Sequence, residues 1–335
     1  MAETLSPDGP IKLAITVDDV YQWSGIPFPD GYSPHTITRS LLDAFDRHGV
    51  EQVYAFSNTR PIDDDPDLLR VLDAWCEAGH HIGNHTHYHS SLNWVDPPTY
   101  IEDIERSEAL IGGWIDQAPS RYFRYCMDMW GDTPEKTAEV QTYLAKAGYT
   151  PAPLTYWFYD AQFMTPYMRS LKAANTDDQA FLQDAFVDTA VSQLRGQVAA
   201  ARASLGRDPV HIALVHGTAI AGDTYDRVLE AYDELGVEYV TLEEAMRDPA
   251  NLIPPPVTTR MFRNFTQKWA QYAGVEVPDT PAPAILEKVA ATTPIEGMSD
   301  ADVLGPAILQ MAAALGAEAT LDEFDWHNHH VGAEA

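Results

Sequence analysis

The sequence of 335 residues predicts an α/β protein of parallel strands and crossover helices. Three observations predict it. Short apolar runs alternate with amphipathic helical stretches from about residue 11 to residue 247, the pattern of right-handed β-α-β units sharing one sheet. Glycines end several helical stretches, at Gly49, Gly79, Gly148 and Gly236, where left-handed C-caps belong. Hydrophobic content of 45%, with 10% aromatics, is ample for the core that such a sheet buries.

Taken in order, the strand runs are "IKLAITV", "QVYAFS", "HHIGN", "RYFRYC", "APLTYWF", "HIALVH" and "VEYVTL". The helical stretches between them are "TITRSLLDAFDRHGV", "PDLLRVLDAWCEAGH", "YIEDIERSEALIGGWI", "TPEKTAEVQTYLAKAGY", a long one near 178–205, and "YDRVLEAYDELG". Seven such units either close into a barrel or form an open doubly wound sheet, and periodicity does not choose. The pattern breaks at "NLIPPPVTTR" (251–260) and again at "PDTPAPA". This divides the chain into a main domain over 10–247 and a mostly helical extension over 248–335. The extension is expected to pack on the main domain or to mediate self-association.

Composition excludes several function classes. A formal charge of −29 argues against nucleic acid, whose phosphates need clustered Lys and Arg. It equally disfavours anionic membrane surfaces. Two cysteines, Cys76 and Cys126, make no disulfide framework. The start "MAETLSPDGP" has no apolar leader region, and no run is long enough to span a bilayer; a soluble, cytoplasmic protein is the expectation. The tail "FDWHNHHVGAEA", with His327, His329 and His330, is expected to be a polar terminus rather than a metal site.

Catalytic residues of a strand–helix barrel gather at the C-terminal ends of its strands. Asp18 and Asp19 end the first strand, His85 and His89 follow the third, and Arg124 ends the fourth. Asp160 follows the fifth, and His216 ends the sixth. Each has a duller explanation alone: a solvated turn, a surface ion pair or a satisfied core histidine. His85 and His89, four residues apart, have the spacing that puts two ligands on one helix face, with His87 pointing elsewhere. Together, one aspartate and two histidines form a facial set of metal ligands with positions left open. A second carboxylate and a third histidine could serve as base and acid, the equipment of metal-assisted hydrolysis.

These residues resemble the polysaccharide deacetylases of the NodB-homology type, carbohydrate esterase family four, over roughly residues 10–247. "TVDD" (16–19), "HTHYH" (85–89) and "LVH" (214–216) match three family motifs, while "FRYC" (123–126) and "TYWFYD" (155–160) are degraded forms of two others. The resemblance implies a distorted (β/α)7 TIM-like barrel with the helical extension appended, and one divalent metal, zinc first, with cobalt, manganese or nickel as alternatives. It implies Asp19, His85 and His89 as metal ligands, Asp18 as the base that deprotonates the attacking water, and His216 as the acid that protonates the leaving amine. Arg124 would position Asp18, Asp160 would hold His216, and Thr86 would brace the histidine loop.

The expected reaction is therefore hydrolytic removal of acetyl groups from N- or O-acetylated sugars or oligosaccharides. The proline pair of the third motif is missing, which leaves its oxyanion-hole residue unassigned. Ala161 replaces a tryptophan of the fourth. These departures keep open a second enzyme class, a hydrolase of C–N bonds in a small cyclic amide or ureide. A non-catalytic carbohydrate-binding or scaffold protein would have no use for a base–acid pair.

Overall fold

A computed structural model describes residues 9–258, 262–276 and 283–319. Strand β1 (Lys12–Asp18) is buried at every position after Lys12, as an unbroken apolar run must be when both faces of its sheet are covered. Around it the chain runs α1 (Pro34–His48), β2 (Tyr54–Ser57), α2 (Arg60–Asp64), α3 (Leu69–Glu77), β3 (His81–Asn84) and α4 (Pro97–Ile115). It continues with β4 (Tyr122–Phe123), α5 (Pro134–Lys146), β5 (Thr150–Pro151), α6 (Met164–Lys172) and α7 (Thr176–Leu205). Then come β6 (His211–His216), α8 (Ala219–Glu234), β7 (Glu238–Tyr239) and α9 (Leu242–Ala245).

The strands are parallel in the order β5-β4-β3-β2-β1-β6, with β7 paired to the start of β1. The sheet curls until its edges meet. Past β5 the chain reaches Tyr156, which bridges Ala213 of β6 in parallel. The architecture is thus a distorted parallel (β/α) barrel. The fifth strand lies at Thr150–Pro151, just before the expected run "APLTYWF" (152–158), which makes only the isolated Tyr156 bridge; Pro153 offers no N–H to a ladder.

Period-two alternation explains how the barrel aims its side chains. Leu13, Ile15 and Val17 face the helices within the main core. Ala14, Tyr54, Phe56, Tyr122 and Ile212 form a separate inner cluster, closed below by Leu242, Ala245 and Met246. The inward row of β1 therefore ends at Asp18, and that of β6 at His216, which pair in register. Gly83 serves this packing, since a Cβ there would overlap the Phe56 ring.

Helix ends follow local chemistry. Ser33 and Thr36 make a capping box for α1, and Gly49 closes it at φ 65°; both devices satisfy backbone groups that a helix end leaves unpaired. Beyond the barrel, α10 (Phe265–Ala273), α11 (Pro283–Ala290), α12 (Asp300–Val303) and α13 (Gly305–Ala314) follow. Helix α10 packs on α7. Arg169 of α6 donates to the carbonyl oxygens of Ala290, Thr292 and Met298 at 2.7–3.2 Å, fixing the chain after α11. Ser90 donates to the Met311 carbonyl at 2.7 Å, tying α13 to the histidine loop. The histidine tail lies outside the described residues. Among those residues, no helix is long and apolar enough to cross a membrane.

Candidate active site

All the rim residues singled out from the sequence meet in one place. Asp18 lies 3.7 Å from His85 Nε2 and 3.5 Å from Arg124. Asp19 turns back towards the histidines at φ 52°, 3.2 Å from His89 Nε2 and 4.0 Å from His85 Nε2. His216 Nε2 faces Asp19 at 3.9 Å. Its other nitrogen contacts Asp160 at 2.8 Å, and its backbone N–H donates to the second Asp160 oxygen at 2.7 Å. Gly217 follows because the Asp19–Val20 backbone passes close by: a Cβ there would stand 2.8 Å from Val20 Cα.

His85 and His89 do not share a helix face. The chain from 85 to 90 is a loop, with Thr86 at φ 63° and His89 at φ 57°. The Thr86 hydroxyl accepts from the His89 N–H at 3.1 Å, and this turn brings the rings within 4.8 Å. Left-handed backbone at non-glycine residues is costly and gathers at functional sites. His87 points away, its Nδ1 2.9 Å from the Thr59 hydroxyl and its Nε2 3.3 Å from Asp63.

Burial sets the electrostatics. Asp18 is 3% exposed, and desolvation pushes its pKa up to about 6, with the Arg124 charge opposing. Desolvation pushes Asp19 the same way, yet His89, His85 and His216 outweigh it and hold the carboxyl well below its usual range. Asn58 at 2.6 Å and Trp23 at 2.7 Å also donate to Asp19. Burial opposes the charged form of His216, but Asp160, helped by Asp19 and Asp18, raises its pKa to about 9. Neutral pH lies between the two values, so Asp18 is mostly ionised there and His216 mostly protonated, the separation that base and acid roles need.

The donors fit a divalent cation. His85 gives its Nδ1 hydrogen to the Arg124 carbonyl at 2.8 Å, which leaves the Nε2 lone pair facing the aspartates, the usual arrangement behind a metal ligand. One Asp18 oxygen, buried, has no hydrogen-bond partner. A second grouping, His85, His89 and Cys126, also lies within 4.8 Å. Cys126 approaches the Nδ1 side of His85, at 3.9 Å, and donates to the His85 carbonyl. That Nδ1 is already bonded to the Arg124 carbonyl, whereas Asp19 faces the Nε2 atoms of both histidines, so the oxygen of Asp19 could complete a ligand set on their open side.

Sequence reasoning missed Asn58 and Trp23. Asn58 directly follows β2, so the strand-end rule that found the others would have found it. Trp23 lies in the stretch between β1 and α1. Trp157 donates to Asp160 at 2.6 Å, while Phe158 and Trp130 belong to the core.

Residues 6–152 match the family described as polysaccharide deacetylase. This stretch, less than half of the chain, is similar to a polysaccharide deacetylase domain. The matched stretch holds Asp18, Asp19, His85, His89 and Arg124; Asp160 and His216 lie beyond it. A chitin deacetylase from Arthroderma benhamiae is 26% identical over 121 residues, 36% of this chain and 32% of that protein; the chain thus spans about a third of this relative. Among solved structures, the wild-type CE4 family pseudoenzyme BA3943 from Bacillus anthracis is 14% identical, with a TM-score of 0.47 over 72% of this chain and 66% of that one. The Bacillus subtilis peptidoglycan deacetylase PdaC is 17% identical, with a TM-score of 0.45 over 72% and 94%.

Proposed function

We propose that this protein is a metal-dependent hydrolase that removes an acetyl group from an N- or O-acetylated sugar or a related acylated small molecule. One observation carries the reading. Asp18 and His216 are register partners on adjacent strands, with opposite protonation preferences, facing the Asp19–His85–His89 cluster.

Asp19, His85 and His89 would hold the cation, with zinc the first choice for two nitrogens and an oxygen. When bound, such an ion supplies Lewis acidity, lowering the pKa of a water and polarising a carbonyl. Asp18 takes the proton of the attacking water, and the Arg124 charge keeps Asp18 ionised for that task. His216 delivers a proton to the leaving nitrogen, without which an amine leaves poorly. Asp160 holds the His216 ring through Nδ1, so that Nε2 faces the reacting atoms. The Asp160–His216 contact and the Arg124–Asp18 contact support these supporting roles.

The test is acetate release by zinc-loaded protein from free N-acetylated sugars and short acetylated oligosaccharides, with Asp18→Asn as control. Release by the native protein alone supports the reading. Zinc bound at one equivalent with no acetate from any of them, and none from 4-nitrophenyl acetate, would sink it.

A further inference from the structure

The described part of the C-terminal segment reaches the site twice. Phe262, just before α10, is 3% exposed and meets Trp157 edge to face, with centroids 4.7 Å apart. With Leu154, Ala161 and Leu214 it forms an apolar wall of the cavity that His216 also lines. Helix α13 and its N-cap residue Leu304 supply a second flank: Leu304, Ala307 and Ile308 pack with Ile26, Met164 and Trp23, and Trp23 donates to Asp19. Met127 packs against both groups. The apolar collar is therefore continuous from Phe262 through Met127 to α13.

Helix α10 also fixes the middle of that collar. Lys268, 1% exposed, donates to the Asp128 backbone carbonyl at 2.8 Å and to its carboxylate at 3.1 Å. Asp128 and Met127 both sit at positive φ, 48° and 54°, a conformation that needs such support.

We infer that the C-terminal segment makes the site a pocket for a single acylated unit with an apolar body, and shuts out interior units of a polymer. This rests on the hydrolytic reading above. An interior unit enters with neighbours on both sides and so needs room on both flanks of the site, where the Phe262 wall stands on one flank and the α13 side of the collar on another. The cavity lining also offers little to hydroxyl groups. Trp23 is committed to Asp19, Trp157 to Asp160, and Asp128 to Trp130 and Lys268. Among the described lining residues outside the hydrolytic set, the Tyr125 hydroxyl is a buried side-chain group with no partner. Each buried hydroxyl left unpaired costs about 1–3 kcal/mol, so a many-hydroxylated substrate fits poorly there.

The experiment compares zinc-loaded protein on 4-nitroacetanilide, a single-unit amide, and on penta-N-acetylchitopentaose, with 4-nitrophenyl acetate reporting the hydrolytic machinery. The anilide should be favoured in kcat/KM by at least about tenfold, the size of effect one well-packed aromatic contact supplies. Phe262→Ala should raise KM for the anilide more than it lowers kcat, and narrow the gap to the pentamer. Quenching of tryptophan fluorescence by 4-nitroaniline should weaken in parallel. If Phe262→Ala does not fold, Met127→Ala, at the half-buried join of the collar, makes the same test. A pentamer cleaved as well as the anilide, with the ester also hydrolysed, overturns the inference and leaves the hydrolytic reading standing. No turnover of anilide, pentamer or ester with zinc bound overturns both.

Discussion

His216 illustrates how one residue's surroundings assign its task. Buried in the main, it would shed its proton, but Asp160 holds it charged. Protonation matters most where the leaving group is a poor one. His216→Ala should therefore cost far more with an amide than with 4-nitrophenyl acetate, by about 10²-fold or more, within the range of general-acid effects; equal losses in kcat would remove the acid assignment. Asp160→Asn should lower amide turnover too, because the imidazole loses its anionic partner, and the alkaline limb of the rate profile should move to lower pH. Asn58 and Trp23 act on Asp19 from behind. Asn58→Ala should weaken zinc binding by about 10–100-fold, as loss of an outer hydrogen bond to a ligand does, measured by competition with a chromogenic chelator. At this scale the sequence was informative about side chains at strand ends and silent about the histidine loop. "HTHYH" has the spacing of a helix face, yet Thr86 and His89 turn left-handed to bring the rings together. That turn depends on the Thr86 hydroxyl and on surrounding packing, which no local pattern encodes.

Among the elements, β1 and β6 matter most, since their register sets Asp18 beside His216. Their legibility follows from physics: long, buried apolar runs have few other options. Strands β4, β5 and β7 are two residues each, too short for periodicity to define, and β5 lies just before the apolar run that pointed to it. Gly217, directly after β6, lies against the Asp19–Val20 backbone that follows β1. Gly217→Ala should destabilise the fold by about 1–3 kcal/mol, the usual cost of overpacking, because the obstructing atom is backbone and cannot rotate away. A urea titration measures it. An unchanged midpoint would mean that the Asp19–Val20 segment shifts freely, and with it the geometry of the site.

For the molecule as a whole, acid should be the weak point. His80 and His211 are buried, and desolvation lowers both pKa values to about 4; His80 Nδ1 accepts the Val53 N–H at 3.0 Å, which a proton there would prevent. The unfolded chain binds protons at about pH 6.5, so these groups contribute stability fully above that pH. That contribution is lost as pH falls towards 4, by up to about 1.4 kcal/mol per pH unit for each histidine. Urea midpoints at pH 7.5 and 5 should show the drop, and His80→Gln should lessen it. The family and the barrel were legible from ordered motifs. The collar made by Phe262 and α13 was not, because contacts between segments so far apart in sequence leave no periodic trace.

The pairing of β1 with β6 also sets a timetable for synthesis. Residue 211 is translated 193 positions after residue 18, about 10–40 s later at about 5–20 residues per second. For that interval the nascent chain carries one edge of "LAITV" without its permanent neighbour, an invitation to pairing with other chains. Soluble yield should therefore depend on slow, cool expression or on chaperones that bind extended apolar segments, and a β1 edge made less sticky should relieve that dependence.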